Sequence, residues 1–411
     1  SNGSHVYSFY VKGAQEKALN EVASQIGILP HRPHNPITQM YQERILTAPQ
    51  VVFANALVIF SFYFTPPKTT EDFAQLRNVL KEDQPSLSRL KNLRNELVQD
   101  VMSERYLGEV CYQFSDILKE LYSMFENGND QVALAAFEEK TMEALDKDPR
   151  KHIVKTWFLF NKIVVKHNFY KLDKAAVCFR LNPEFLGQSE FGWPRVPHGV
   201  FLMIGPQWRG FHIRFTDIAR GGVRMIFSKD RTAYMKNKQT LFQENYNLAY
   251  TQLLKNKDIP EGGSKGTILV SSRTGKNLDK KQIFLQYVDA MLDVILPGEK
   301  DIFDALKQEE IIFLGPDENT AGDFPKIGAL HSKERGYSWW KSFTTGKDPY
   351  LGGIPHDTYG MTSESVRVNV NGVYEKLGLN QNSLTKFQTG GPDGDLGSNE
   401  ILLSGEQYHA I

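Results

Sequence analysis

Cysteine is scarce in this chain. Cys111 and Cys178 are the only two in 411 residues. They are too few for a disulfide framework and lack metal-ligand spacing, which excludes a small secreted scaffold and a zinc module and suits a reducing compartment. Net charge is missing as well: 48 Lys plus Arg balance 48 Asp plus Glu. No global field therefore recruits nucleic acid or an anionic membrane, and any anion recognition must be local. Long apolar runs are absent too. The longest, Val51 to Phe64, is interrupted by Asn55 and Ser61 and falls short of the roughly 20 residues a spanning helix needs, so it reads as core. Ser1 to His5 shows neither the basic nor the apolar region of a signal peptide, and the Asn2-Gly3-Ser4 sequon has no secretory context. Gly275-Lys276 and Gly346-Lys347 lack the spacing of a phosphate loop, and His31 and His34 have no third metal ligand nearby. There is no internal repeat and no low-complexity segment.

What is present suits a multidomain globular protein. At 41% hydrophobic and 12% aromatic, the chain has enough apolar material for at least two cores, since single cores stop growing at roughly 250 to 300 residues. His5 to Val11 reads as a strand, Ala14 to Ile26 as a helix, and Val51 to Phe64 as one or two further strands. From Thr70 to Ala144 apolar residues such as Leu87, Leu90, Leu93 and Leu97 fall at helical spacing. After Pro149 strands are expected at Ala175 to Leu181, Val200 to Ile204 and Phe211 to Phe215, then a polar helix from about Lys229 to Leu254 whose Lys236 and Lys238 read as a solvated face. A strand at Thr267 to Val270, a helix at Gln282 to Leu296 and a strand at Ile311 to Leu314 follow, an alternation that argues for an open α/β sheet.

Two places carry chemistry. In Pro260-Glu261-Gly262-Gly263-Ser264-Lys265-Gly266 one lysine lies on a bed of glycines. Glycines let a bound molecule approach the backbone, and a lysine in a partly dry crevice has its pKa lowered towards the range useful for acid/base work. Arg220-Gly221-Gly222-Val223-Arg224, Lys255, Lys257 and Gly315-Pro316-Asp317-Glu318-Asn319-Thr320 add cations and carboxylates around it, an inventory suited to a small doubly anionic substrate. The second place is Leu384 to Thr389, a short strand entering the glycine turn Gly391, Gly394 and Gly397, after which a helix opens. That order receives a dinucleotide pyrophosphate, although the glycines are spaced one residue wider than the standard fingerprint. The chain stops at Ile411, where the second strand of such a domain is due to start, so it reads as part of a longer polypeptide.

Taken in order, the Arg-Gly-Gly-Val-Arg, Pro-x-Gly-Gly-Ser-Lys-Gly, Gly-Pro-Asp-Glu-Asn-Thr and Gly-Gly-Ile-Pro-His-Asp-Thr-Tyr-Gly-Met-Thr motifs resemble those of NAD-specific glutamate dehydrogenase of the large-subunit type. The resemblance implies an α/β fold. An open mixed-sheet substrate domain over 150–370 would precede the start of a Rossmann-like domain over 371–411. An N-terminal α+β accessory region would comprise a small module at 1–66 and a helical layer at 67–149. It implies Lys265 as the lysine that activates water and Asp317 as the aspartate that shuttles protons, with Glu318 its competitor. Arg220 would hold the side-chain carboxylate of glutamate and Lys255 the α-carboxylate, Lys257 being the alternative, with Gly221, Gly222, Gly262 and Gly263 lining the substrate. Thr362, Gly391, Gly394 and Gly397 would contact NAD. The products would be 2-oxoglutarate and ammonia, made by a homo-oligomer in the cytoplasm or mitochondrial matrix, with no metal, nucleic acid or membrane partner. A related amino-acid dehydrogenase and a non-catalytic subunit keeping the fold are the alternatives.

Overall fold

The computed structural model describes residues 36–66 and 103–410, apart from 172–173, 189–190, 192, 256, 258, 272–278, 299–300, 321, 355–358 and 390–394. The expected strand at His5 to Val11, the helix at Ala14 to Ile26, the Leu87 to Leu97 pattern, His31, His34 and Gly275-Lys276 lie outside the described residues. The chain divides into two compact units, Ser1–Thr345 and Gly346–Ile411.

In the first unit, α1 (Pro36–Gln42) and α2 (Ala48–Phe64) lead to α3 (Glu104–Gln113), α4 (Ser115–Glu126), α5 (Gln131–Ala144) and α6 (Lys151–Ile163). The expected strands over Val51 to Phe64 are thus one helix. Its β-branched and aromatic content favours strand, but 17 continuous residues are long for one, and the start carries helix signals: Gln50 Oε1 accepts the Thr47 N–H at 2.8 Å and Pro49 lies in the first turn. The helix is apolar on nearly every side because it is buried on nearly every side. Phe53 packs on Phe125 and Phe160, and Phe64 on Phe211 and Phe242.

Strands β1 (Val164–His167), β2 (Val177–Leu181), β3 (Gly199–Gly205), β4 (Trp208–Arg214) and β5 (Ala219–Ile226) precede the long helix α7 (Arg231–Leu253). Then come β6 (Gly262–Val270), α8 (Lys280–Ile295), β7 (Phe303–Asp304), β8 (Phe313–Pro316), α9 (Phe324–Glu334) and the single turn α10 (Trp340–Phe343). The strands form one mixed sheet in the order β7-β1-β2-β3-β4-β6-β5-β8. β4 and β6 run antiparallel, whereas β6, β5 and β8 are parallel. One apolar cluster, including α2, α6 and α7, fills one face; another, dominated by α8, fills the other. Asp230 caps α7, its side chain accepting the Ala233 N–H at 2.8 Å. Although α7 reads as polar, Lys238, Leu241, Phe242, Asn245, Tyr246 and Ala249 are buried at helical spacing. Lys238 is therefore not on a solvated face. It lies 3.6 Å from Glu104 and over the Phe62 ring, while Arg209 of β4 pairs with the same carboxylate. This buried triad joins the helical layer to the sheet. Among the described residues no helix is long and apolar enough to cross a membrane.

The second unit contains α11 (Met361–Leu377), β9 (Thr385–Phe387), α12 (Asp395–Leu403) and β10 (Gln407–Ala410). β9 and β10 pair in parallel, Thr385 opposite Gln407. The second strand of this β-α-β unit therefore begins at Gln407, before the chain's last residue. Arg367 binds Glu406 at 2.7 Å and Glu400 at 3.2 Å, and Lys386 binds Glu400 at 2.6 Å, so charges from α11, β9, α12 and the residue just before β10 meet.

Candidate active site

Lys265 lies in the middle of β6, not in a turn ahead of it. The strand begins five residues earlier than its apolar part suggests, and every residue from Gly262 to Val270 is buried. Three of the neighbouring glycines make room for the protein itself. A Cβ on Gly263 would collide with the backbone of Ala249 and Leu253 on α7, one on Gly262 with the Thr216 side chain, and one on Gly221 with the Ser264 carbonyl. α7 and the three parallel strands approach closely as a result. Asn245 then fixes the strand, its Nδ2 donating to the Lys265 carbonyl at 3.1 Å and to Thr267 Oγ1 at 3.1 Å. On the opposite face His212, whose pKa burial pushes down to about 3 and which is thus neutral, lies 3.4 Å from Ser264 Oγ and 3.3 Å from the Tyr287 hydroxyl.

Gly222 is different. It sits on β5 level with Lys265, as the pairing of Val223 with Gly266 requires, and a Cβ there would lie 2.8 Å from Asp317 Cβ and 2.9 Å from its Oδ2. The missing side chain lets Asp317 reach across β5, where its carboxylate contacts the Lys265 ammonium directly. The Gly-Pro-Asp-Glu-Asn-Thr turn is pinned to β5 so that this reach is fixed. Thr320 Oγ1 accepts the Asp317 N–H at 2.9 Å and donates to the Val223 carbonyl, while Asn319 Nδ2 donates to the Met225 carbonyl at 2.9 Å. Asn319 adopts φ 62°, a left-handed conformation that asparagine tolerates. Glu318, the competitor, has a side chain 64% exposed and faces Arg224 instead.

The charges around the pair set its proton affinity. Burial pushes the Lys265 amine down to about 8; Arg224 and Lys255 add to the fall, and Glu244 and Glu318 oppose it. Arg224 bridges Glu244 at 2.9 Å and Asp317 at 3.9 Å, so it supports the pair. Arg220, on the same face of β5, gives both Nε and Nη2 to Glu261 Oε1 at 3.0 Å. Lys257 reaches that oxygen at 3.0 Å, whereas Lys255 is exposed. Sequence reasoning missed Glu261, Glu244, Asn245 and Thr320. Thr320 and Glu261 stood inside quoted motifs without a role assigned to them; Glu244 and Asn245 lie on a helix, and they and Glu261 act through contacts with separate elements. Among the described residues no group of three or more His, Cys, Asp and Glu side chains is placed to hold a metal ion.

In the second unit Thr362 lies in the first turn of α11, after Gly360 at φ 58°. Ser363 Oγ donates to the Leu396 carbonyl at 2.9 Å, which brings the first turns of α11 and α12 together. Gly397 is in that turn of α12, and Gly391 and Gly394 lie outside the described residues.

Residues 138–407 match the family described as bacterial NAD-glutamate dehydrogenase, catalytic domain. The chain is 38% identical to NAD-specific glutamate dehydrogenase of Neurospora crassa, with 100% of this chain and 42% of the relative covered. It is 40% identical to glutamate dehydrogenase 2 of Dictyostelium discoideum (100% and 40% covered) and 39% identical to NAD-specific glutamate dehydrogenase of Saccharomyces cerevisiae (96% and 39%). The chain belongs to the NAD-specific glutamate dehydrogenase family of the large-subunit type, and it spans about two fifths of the length of these curated relatives.

Proposed function

We propose that this chain carries the acid/base and substrate-binding part of an enzyme that oxidises L-glutamate to 2-oxoglutarate and ammonia with NAD as acceptor. The observation that carries the reading is the contact of Lys265 with Asp317 across Gly222, with the lysine brought down to about 8. A neutral Lys265 takes a proton from the water that adds to the imine carbon of the oxidised substrate. Asp317 gives and receives the proton at the substrate nitrogen, so that ammonia leaves. Arg220 and Lys257 form the cationic corner for one carboxylate, and Lys255 is the exposed cation left for the other. NAD, when bound, supplies the hydride acceptor. The parallel β9-α12-β10 unit, with Gly397 in the first turn of its helix and Thr362 in the adjacent first turn of α11, fits a dinucleotide pyrophosphate and its nicotinamide end. The same reading makes the enzyme a homo-oligomer inside the cell, in the cytoplasm or mitochondrial matrix, where the buried thiols of Cys111 and Cys178 stay reduced.

The test is NADH formation from glutamate by the full-length protein and its Lys265→Ala variant. Turnover should fall by about 10² to 10⁴ fold, the usual effect of removing a positioned acid/base group. A variant that keeps about a third or more of the parent rate removes the assignment.

A further inference from the structure

Arg220, the side chain best placed to receive a carboxylate of the substrate, already holds one, and that carboxylate belongs to the protein. Glu261 Oε1 accepts Arg220 Nε and Nη2, each at 3.0 Å, and Lys257 Nζ at 3.0 Å. The side chains of Glu261 and Lys257 are 12% and 16% exposed, that of Arg220 42%. The corner is thus built and lined with opposite charges, but open at the guanidinium. Arg220 pairs with Gly263, two residues before Lys265 on the neighbouring strand. That offset places its Cα roughly 8 Å from that of Lys265, on the same face, by ordinary strand spacing.

The ion pair is not required to hold β5 to β6, because the backbone ladder already joins Ala219 to Gly262 and Arg220 to Gly263. Nor is a largely buried ion pair of this kind an efficient source of stability, because desolvation offsets its Coulomb gain. Its position next to the acid/base pair points to another role. We propose that Glu261 is a placeholder for the substrate. In the free site its carboxylate occupies the Arg220–Lys257 corner, and the side-chain carboxylate of a dicarboxylic substrate displaces it. Glu261 follows the exposed Ile259-Pro260 segment at the start of β6, so its side chain has solvent to enter when displaced. Binding then exchanges one carboxylate for another, and neither cation is left unpaired. An amino acid without a side-chain carboxylate cannot make the exchange. It must either leave Glu261 in the corner or push it out and strand both cations, so the corner opens only to a side chain that brings its own carboxylate. Glu261 is in this sense an internal competitor that keeps the two cations paired until a carboxylate arrives, and the inference rests on the reading of Arg220 and Lys257 as a carboxylate-binding corner.

The experiment uses the full-length protein with Glu261→Gln, which keeps size and removes charge. The probe is glutarate, a dicarboxylate without the amine, titrated by calorimetry beside kcat/KM for glutamate and norvaline. With its internal competitor gone, the corner should bind glutarate about tenfold more tightly, the scale of one charge-assisted hydrogen bond. kcat/KM for glutamate should rise at the same time, and the preference for glutamate over norvaline should be kept or widened. Glutarate binding that is unchanged or weaker, with Arg220→Ala abolishing it, overturns the placeholder and leaves the corner standing. If Arg220→Ala does not weaken glutarate binding, the corner itself is wrong and the placeholder falls with it. If Glu261→Gln tightens glutarate but the parent forms no NADH from glutamate, the placeholder stands and the proposed reaction fails. Should Glu261→Gln not fold, Glu261→Asp decides, because a shorter carboxylate holds both cations less well: tighter glutarate binding supports the proposal, and unchanged or weaker binding overturns it.

Discussion

Replacing Gly222 by alanine adds one methyl group at the place where Asp317 crosses β5. The glycine does not have the positive φ that would make any side chain strained, so the perturbation is steric. The added Cβ would stand 2.8 Å from Asp317 Cβ, 2.9 Å from Oδ2 and 3.2 Å from Cγ. Comfortable carbon contacts begin at about 3.5 Å, so the aspartate must retreat by roughly 1 Å. A flexible side chain would do so easily. Asp317 cannot, because its own Cβ is the nearest atom and its backbone is held by Thr320 while Asn319 and Thr320 grip β5. The carboxylate then leaves Lys265, and a displacement of about 1 Å in a reacting group costs on the order of 10² in rate. Overpacking should cost about 1 to 3 kcal/mol of stability, small enough for the full-length protein to fold. The assay is steady-state NADH formation from glutamate beside a melting curve. Fold retained with kcat near a hundredth of the parent is the expected result; a kcat within about threefold would show that the Lys265–Asp317 contact is not needed for turnover.

Two further predictions follow from the charges. A base must be neutral, and with a pKa of about 8 only about a tenth of Lys265 is neutral at pH 7, so kcat/KM should rise about tenfold per unit below pH 8 and level off above it; a profile flat from pH 6 to about 8 in steady-state kinetics contradicts the assignment. Glu104→Gln leaves Arg209 and Lys238, both buried, without their carboxylate, and breaking such a group should cost about 3 to 5 kcal/mol; an unchanged urea midpoint would mean that the triad does not anchor the helical layer.

The sequence shows its chemistry where the reason for a residue is local, and hides it where the reason is distant. Lys265 and Asp317 stand in compact motifs with glycine or proline beside them, and the structure brings them into contact. The start of β6 was illegible because Gly-Gly-Ser-Lys-Gly has poor strand propensity, and burial between two strands and α7 overrides it. The glycines were legible as places of close approach, but not what approaches. At Gly221 and Gly263 it is another strand or helix, and only at Gly222 is it a reacting group. Lys238 and Asn245 are polar side chains in a polar helix, and their partners come from α3, β4 and β6. No pattern within α7 announces such partners. Val51 to Phe64 failed for the opposite reason: a local preference for strand was clear, and tertiary burial on nearly every side of a capped helix outweighed it.

The length of β8 explains why a lysine in mid-strand is available for chemistry at all. In open parallel sheets, ligand groups gather beyond the carboxyl ends of the strands, and Lys265 breaks this pattern because β6 runs on to Val270. Asp317 keeps to it, following β8 directly. β8 ends at Pro316, opposite Val223, and Val223 is in turn opposite Gly266. The early end of one edge strand thus brings the site level with the centre of its neighbours, and the turn after it folds back over Gly222. Lys265 gains the rigidity of an interior strand, held by ladders on both sides, while its amine reaches an aspartate held by a turn. Burial in the sheet lowers the proton affinity of the lysine, and the turn supplies the proton partner. Lengthening β8 by even two residues would carry Asp317 roughly 6 to 7 Å further along β5 at ordinary strand rise, beyond contact with Lys265.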